Sequence, residues 1–182
     1  MNINRNPEFL SGEEEARGYR AIARLALFWG PIELLIEHMI VSLRNLHGET
    51  DQSFPVSFRR KIDELKDRSK REPELESFRS ELAPLLGRSK ELHVIRTHVV
   101  HSYFQGQNID GQLMFGRSEQ KRGVCYTEAR YTPDQLNIAT GEMMDIHDKV
   151  QPMALYLNSF FLSEIKRRNI EGVARASGSA DQ

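Results

Sequence analysis

The chain has 182 residues and a mass of 21.0 kDa, a length that suits one domain with a single core. Apolar residues make up 39% and charged residues 28%, which is typical of a folded water-soluble protein rather than a disordered or fibrous one. The formal net charge of −1 argues against nucleic-acid binding by bulk charge, so that any basic surface must be local.

The cysteine content and the N-terminus indicate a cytoplasmic protein. The single cysteine, Cys125, cannot form an internal disulfide and offers no zinc-type cluster. The first residues lack the basic-then-apolar layout of a signal peptide. We also find no uninterrupted apolar run of the roughly 20 residues that cross a bilayer. We therefore expect a soluble protein with no membrane partner.

The first predicted element is a long amphipathic helix over residues 22–46. Its apolar residues recur at alternating steps of three and four, which places one stripe along the helix. The stripe consists of Ile22, Leu25, Trp29, Ile32, Ile36, Met39, Leu43 and Leu46. Pro31 lies inside this stretch and predicts a bend.

The next two predicted helices are separated by Pro73. The segment "VSFRRKIDELKDRSKR" predicts a short helix with Phe58, Ile62 and Leu65 on one face. In the following helix the same spacing of three and four residues begins with Leu75, Phe78, Leu82 and Leu85. Extended further, it reaches Ser89, Leu92, Arg96 and Val99. Pro84 and Gly87 predict a kink or a short break in that helix.

A small hairpin and a last long helix complete the chain. The runs "QLMFGR" and "VCYTEARY" suit two strands, which the segment near Tyr103 could extend. Thr132, Pro133 and Gln135 form the pattern of a helix start with a capping box. The three-four rhythm then continues through Leu136, Ala139, Met143, Ile146, Val150, Met153, Leu157 and Phe160.

Helices that each carry one apolar stripe bury those stripes against one another. We therefore predict a mainly α protein, an antiparallel four-helix bundle with a small β-hairpin inserted between the third and fourth helices. Residues 1–175 would form one domain and residues 176–182 a disordered tail. The length of the first and last helices makes a homodimer plausible.

Arg96 occupies a stripe position that the rhythm otherwise gives to an apolar residue. A buried guanidinium without a partner is strongly unfavourable, so Arg96 must be paired or must open onto a solvent cleft. His93, Thr97 and His101 follow one another four residues apart along an adjacent strip. Glu33 or Glu37 on the first helix is a candidate partner for Arg96.

The chain resembles the HEPN family (higher eukaryotes and prokaryotes nucleotide-binding). The resemblance rests on Arg96, "THVV" and His101, an Arg-x4-His motif late in a helix of an all-α bundle. It also rests on "FWGPIELLIE" in the first helix, "FPVSFRRKIDELKD" in the second, and a hairpin before the last helix.

The resemblance implies metal-independent RNA cleavage at a site that two protomers assemble. His101 would exchange protons with the ribose 2′-hydroxyl or the leaving 5′-oxygen, and Arg96 would stabilise the phosphoryl charge. Histidine titrates near neutrality, and arginine offers a fork of donors matched to phosphate. Thr97 stands where active members often carry Asn, Asp or His, and its hydroxyl could orient the phosphate or His101.

The implied role is a toxin or phage-defence effector with an antitoxin protein as a possible partner. The alternative is a non-catalytic HEPN-like module for interaction or nucleotide binding. His98 and His101 could share a metal, but the spacing supplies no third ligand, so we predict neither a metal nor a cofactor.

Two basic clusters are candidate RNA-binding sites. The first comprises Arg59, Arg60 and Lys61, in a helix where acidic residues are interleaved. Because of that interleaving, a solvated face with local ion pairs is the competing interpretation. The second comprises Arg117, Lys121 and Arg122 in the hairpin.

Overall fold

The structure, a computed structural model, describes residues 12–49, 53–120 and 124–178. For residues 118–120, 124–125 and 172–178 it describes the backbone alone. The protein is mainly helical and has a small antiparallel sheet. The long helices are α1 (Gly12–Leu46), α3 (Arg79–His101) and α4 (Pro133–Gly178). The shorter ones are α2 (Phe58–Arg71) and a 3-10 helix (Pro73–Phe78).

The prolines inside the long helices do not interrupt them. α1 continues through Pro31, and α3 continues through Pro84 and Gly87, where we expected a kink or a short break. The expected separation at Pro73 is present, because this residue starts the 3-10 helix between α2 and α3.

The sheet has three strands in the order of the chain: β1 (Tyr103–Gln107), β2 (Leu113–Gln120) and β3 (Val124–Tyr131). The segment near Tyr103 is thus a full strand that extends the predicted hairpin. A register shift between Phe104 and Gly106 marks a bulge, and Gly106 has a φ of 111°, a conformation that disfavours other residues.

The predicted capping box at the start of α4 is confirmed. The backbone N–H of Gln135 donates to Thr132 Oγ1 at 3.1 Å, and the backbone N–H of Thr132 donates to Gln135 Oε1 at 2.8 Å. Each side chain thereby satisfies a backbone donor that the first turn leaves free. The predicted tail begins at residue 176, whereas α4 continues to Gly178; residues 179–182 lie outside the described residues.

The chain divides into two compact units. The first comprises Met1–Gly30 and Glu91–Asp145, and the second comprises Pro31–Lys90 and Ile146–Gln182. In the first unit the sheet packs through aromatic rings: Phe104 lies 5.7 Å from Tyr19 of α1 and 5.4 Å from Phe115. Its buried apolar residues include Leu25, Trp29, Leu92, Val99, Leu113, Phe115, Leu136, Ala139 and Met143.

The core of the second unit contains most of the remaining stripe residues, together with Ile40, Leu86 and Ala154. Those that are buried include Ile32, Ile36, Met39, Leu43, Leu46, Phe58, Ile62, Leu65, Leu75, Leu82, Ile146, Val150, Met153 and Leu157. Phe160, the last residue of the predicted α4 stripe, is exposed. The alternation of three and four residues therefore predicted most of the buried positions of the four α-helices. Ile22 and Leu85 are exceptions: both are half-buried, and their neighbours Ala21 and Leu86 are buried instead.

α1 is long and apolar enough to cross a membrane, because it contains an 18-residue window with a mean hydropathy of 1.4. The core helix of a soluble protein and a signal sequence near the N-terminus both meet the same criterion, and 39% of that window is buried inside the structure. Its alternating stripe is buried within each unit, as expected of a core helix.

Candidate active site

Arg96 and His101 contact each other at the C-terminal end of α3. Arg96 Nη1 lies 2.6 Å from His101 Nε2. Because a guanidinium can only donate hydrogen bonds, Nε2 of His101 is the acceptor in this contact. The contact brings a permanent positive charge and an imidazole, a side chain suited to proton transfer, together at the same end of α3.

The two side chains differ in their exposure to solvent. Arg96 is half-buried, and its Nε atom is buried without a hydrogen-bond partner, whereas His101 is exposed. The aliphatic stem of Arg96 thus covers a stripe position while its terminal nitrogen reaches His101. Arg96 is therefore paired through Nη1, whereas its Nε is left without a partner.

Thr97 faces the preceding turn of α3. Its Oγ1 lies 3.5 Å from Nε2 of His93, and the His93 ring lies 5.2 Å from the ring of the buried Trp29. His93 and Trp29 thereby connect α3 to α1 within the first unit. The Thr97 hydroxyl contacts His93, and this supports a role for Thr97 in positioning the His93 ring.

His98 has a partner that the sequence did not suggest. Its Nδ1 lies 2.6 Å from the hydroxyl of Tyr131, the last residue of β3, and the two rings stack at 6.1 Å. Burial raises the pKa of Tyr131 above its ordinary value of 10.0, so the hydroxyl stays protonated and can donate. This contact ties the last turns of α3 to the sheet, two residues from Arg96. In the sequence, the only indication of this contact is that Tyr131 directly precedes the capping box.

The basic residues of α2 differ in accessibility. Arg59 and Arg60 are exposed, whereas Lys61 is buried and donates hydrogen bonds to Glu33, at 2.8 Å, and to Glu37. Burial alone would lower the pKa of Lys61, but its bonds to the two carboxylates outweigh burial and raise it. Glu33 and Glu37, considered above as partners for Arg96, thus hold Lys61.

The second basic cluster is described only in part. Arg117 lies half-buried on β2, whereas Lys121 and Arg122 lie outside the described residues. Arg117 belongs to the same unit as Arg96 and His101, while Arg59 and Arg60 belong to the second unit.

The paired side chains can carry out acid–base chemistry on a phosphodiester. The imidazole can accept and return a proton, and the guanidinium can bind two phosphoryl oxygens at once. Comparison of the chain with protein-family models, with curated proteins and with solved structures found no match.

Proposed function

We propose that this protein is a HEPN-like, metal-independent endoribonuclease. The observation that carries the proposal is the 2.6 Å contact between Arg96 and the exposed His101 at the end of α3. It pairs an imidazole with a guanidinium at the exposed end of α3. This is the combination that the Arg-x4-His motif of the family would require.

The proposed reaction is an internal transfer of the phosphoryl group. His101 Nε2 takes the proton of the ribose 2′-hydroxyl, whose oxygen bonds to phosphorus while the bond from phosphorus to the 5′-oxygen breaks. A second imidazole, from the His101 of another protomer, protonates the leaving 5′-oxygen. Arg96 turns from His101 to the phosphoryl oxygens as negative charge builds there. The products carry a 2′,3′-cyclic phosphate and a 5′-hydroxyl.

The resemblance suggests the setting of this reaction. We propose that the helices form an antiparallel four-helix bundle with the sheet inserted before the last helix, and that two copies assemble the site. The proposed RNA-binding residues are Arg59, Arg60, Arg117, Lys121 and Arg122. Lys61 is withdrawn from this set, because it is buried and bonded to Glu33 and Glu37. The protein would act in the cytoplasm as a toxin or phage-defence effector, with an antitoxin protein as partner.

The test is an RNA cleavage assay in EDTA on mixed RNA substrates, with the product ends identified. We expect the wild type to leave cyclic phosphate ends. His101→Ala should reduce the rate by about 100-fold or more, the range typical of losing a general acid or base. Arg96→Ala should reduce it comparably. His38→Ala, which removes an exposed histidine on α1, is the matched control and should cleave like the wild type.

A second candidate function is a non-catalytic HEPN-like module for interaction or nucleotide binding. The observation that favours it is the Thr97 hydroxyl, which contacts His93 instead of the motif histidine. This candidate predicts no cleavage by either the wild type or His101→Ala. Cleavage that survives both His101→Ala and Arg96→Ala would contradict the proposed site itself.

A further inference from the structure

A histidine nitrogen and two carboxylate oxygens converge in the second unit, far along the chain from Arg96. His47 directly follows α1, Glu72 caps the C-terminus of α2, and Glu74 lies in the 3-10 helix. His47 Nε2 lies 2.8 Å from Glu72 Oε2 and 3.9 Å from Glu74 Oε2. The ligand atoms of all three residues lie within 4.8 Å of one another.

The two carboxylates are largely removed from water. The side chains of Glu72 and Glu74 are only 12% and 13% exposed, and Glu74 Oε2 itself is fully buried with no hydrogen-bond donor. A dry carboxylate oxygen without a donor is unfavourable, and a second carboxylate beside it increases the repulsion. The cluster therefore calls for a cation that reaches both oxygens.

The neighbouring arginine satisfies only one side of the cluster. Arg68 Nη1 donates to Glu72 Oε1 at 3.3 Å, which leaves Glu72 Oε2 turned towards His47. Arg68 is also hydrogen-bonded to Glu64 and Glu49, so its guanidinium is shared among several acceptors. It fixes the orientation of Glu72, as outer partners of metal ligands commonly do.

We propose that His47, Glu72 and Glu74 bind one divalent transition-metal cation of the Zn²⁺ class. Two atoms bound to Zn²⁺ at tetrahedral positions lie about 3.3 Å apart, and the separations of 2.8 and 3.9 Å from His47 Nε2 bracket this value. One imidazole with two carboxylates suits such a cation, whereas Mg²⁺ prefers oxygen ligands and retained water. The His47 side chain is 34% exposed, which leaves access for water as a fourth ligand.

The bound cation would have a structural role. It would join the end of α1 to the junction between α2 and the 3-10 helix, where Glu72 already ends one helix and precedes the other. Cleavage by Arg96 and His101 does not require it, so the metal site and the proposed nuclease activity can be tested separately.

The experiment is a calorimetric titration of the metal-stripped full chain, without a histidine tag, with Zn²⁺ and separately with Mg²⁺. We expect one Zn²⁺ per chain with micromolar or tighter affinity, and weaker binding of Mg²⁺. Zinc at 100 times its dissociation constant should raise the unfolding temperature by about 5 °C or more. His47→Ala and Glu74→Gln should each weaken zinc binding at least tenfold.

Two variants serve as controls. Glu76→Gln changes an exposed carboxylate of the same 3-10 helix, and His38→Ala removes an exposed histidine of α1. Both should bind zinc within twofold of the wild type. The inference would be overturned if the wild type took up no zinc. It would also be overturned if folded Glu74→Gln, checked by circular dichroism, bound zinc like the wild type.

Discussion

At the scale of single residues, the carboxylate of Glu64 in α2 joins two buried arginines. It accepts two hydrogen bonds from Arg44 of α1, both at 2.8 Å, and one from Arg68 at 3.0 Å. Both arginines are buried, so each guanidinium needs this partner. Burial alone would raise the pKa of Glu64, but these hydrogen bonds outweigh burial and lower it below 4.5.

We expect Glu64→Gln to lower the free energy of unfolding at pH 7 by about 2 kcal/mol, because charged hydrogen bonds to two buried arginines are weakened. A carboxyl whose pKa is depressed by folding stabilises the protein above its unfolded pKa, and that contribution is lost as pH falls through the folded pKa. The gap between wild type and variant should therefore be full above pH 4.5 and shrink below it.

Chemical denaturation between pH 3 and pH 7 measures this gap. Glu76→Gln, which makes the same charge change on an exposed residue, should behave like the wild type. A gap that stayed constant as the pH fell would contradict the role assigned to the Glu64 carboxylate.

At the scale of elements, the start of α4 depends on two side chains that cap each other. Thr132 and Gln135 form the reciprocal hydrogen bonds, and Pro133 begins the helix with a residue that has no N–H to satisfy. Tyr131 directly before the cap contacts His98. The cap therefore also fixes the place where β3 passes into α4, beside the last turns of α3.

We expect Thr132→Ala to lower the free energy of unfolding by about 1 kcal/mol, since it leaves the Gln135 N–H without its acceptor. Thr132→Ser keeps the hydroxyl and should retain most of the stability. Thermal unfolding of the three proteins measures the effect. Equal losses in the alanine and serine variants would show that the hydroxyl is not the cause.

At the scale of the whole molecule, the proposed site requires two copies of the chain. Val94 lies seven residues before His101, so the two share one face of α3, and Val94 is 52% exposed. Tyr103, just beyond the helix, is 76% exposed. These apolar side chains beside the motif histidine support an interface on this face.

We expect the wild type to sediment as a dimer at micromolar concentration in analytical ultracentrifugation. Val94→Asp should weaken the dimer by tenfold or more, because it places a charge in the interface, and RNA cleavage should fall with it. Val56→Asp makes the same change at a valine that is 93% exposed, and should leave both properties unchanged. If a folded Val94→Asp protein remained dimeric, the result would contradict an interface on this face of α3.

The sequence by itself determined the elements and their buried faces. The spacing of apolar residues along α1 and α4 is a local property of the chain, and a helix must bury such a stripe. The Thr132 capping box is equally local, because its partners are three residues apart. Pro84 misled only the prediction of a short break, since α3 continues as a helix through this residue.

Only the tertiary structure decided which side chains meet. Lys61 and Glu33 are 28 positions apart, His98 and Tyr131 are 33 apart, and the turns and strand pairings that join them have no periodic signature. The sequence indicated that Arg96 needs a partner. The structure identified His101, because the guanidinium reaches forward along the last turns of α3 to the imidazole. The same reason applies to His47, Glu72 and Glu74, which come together only when the chain returns to the end of α1.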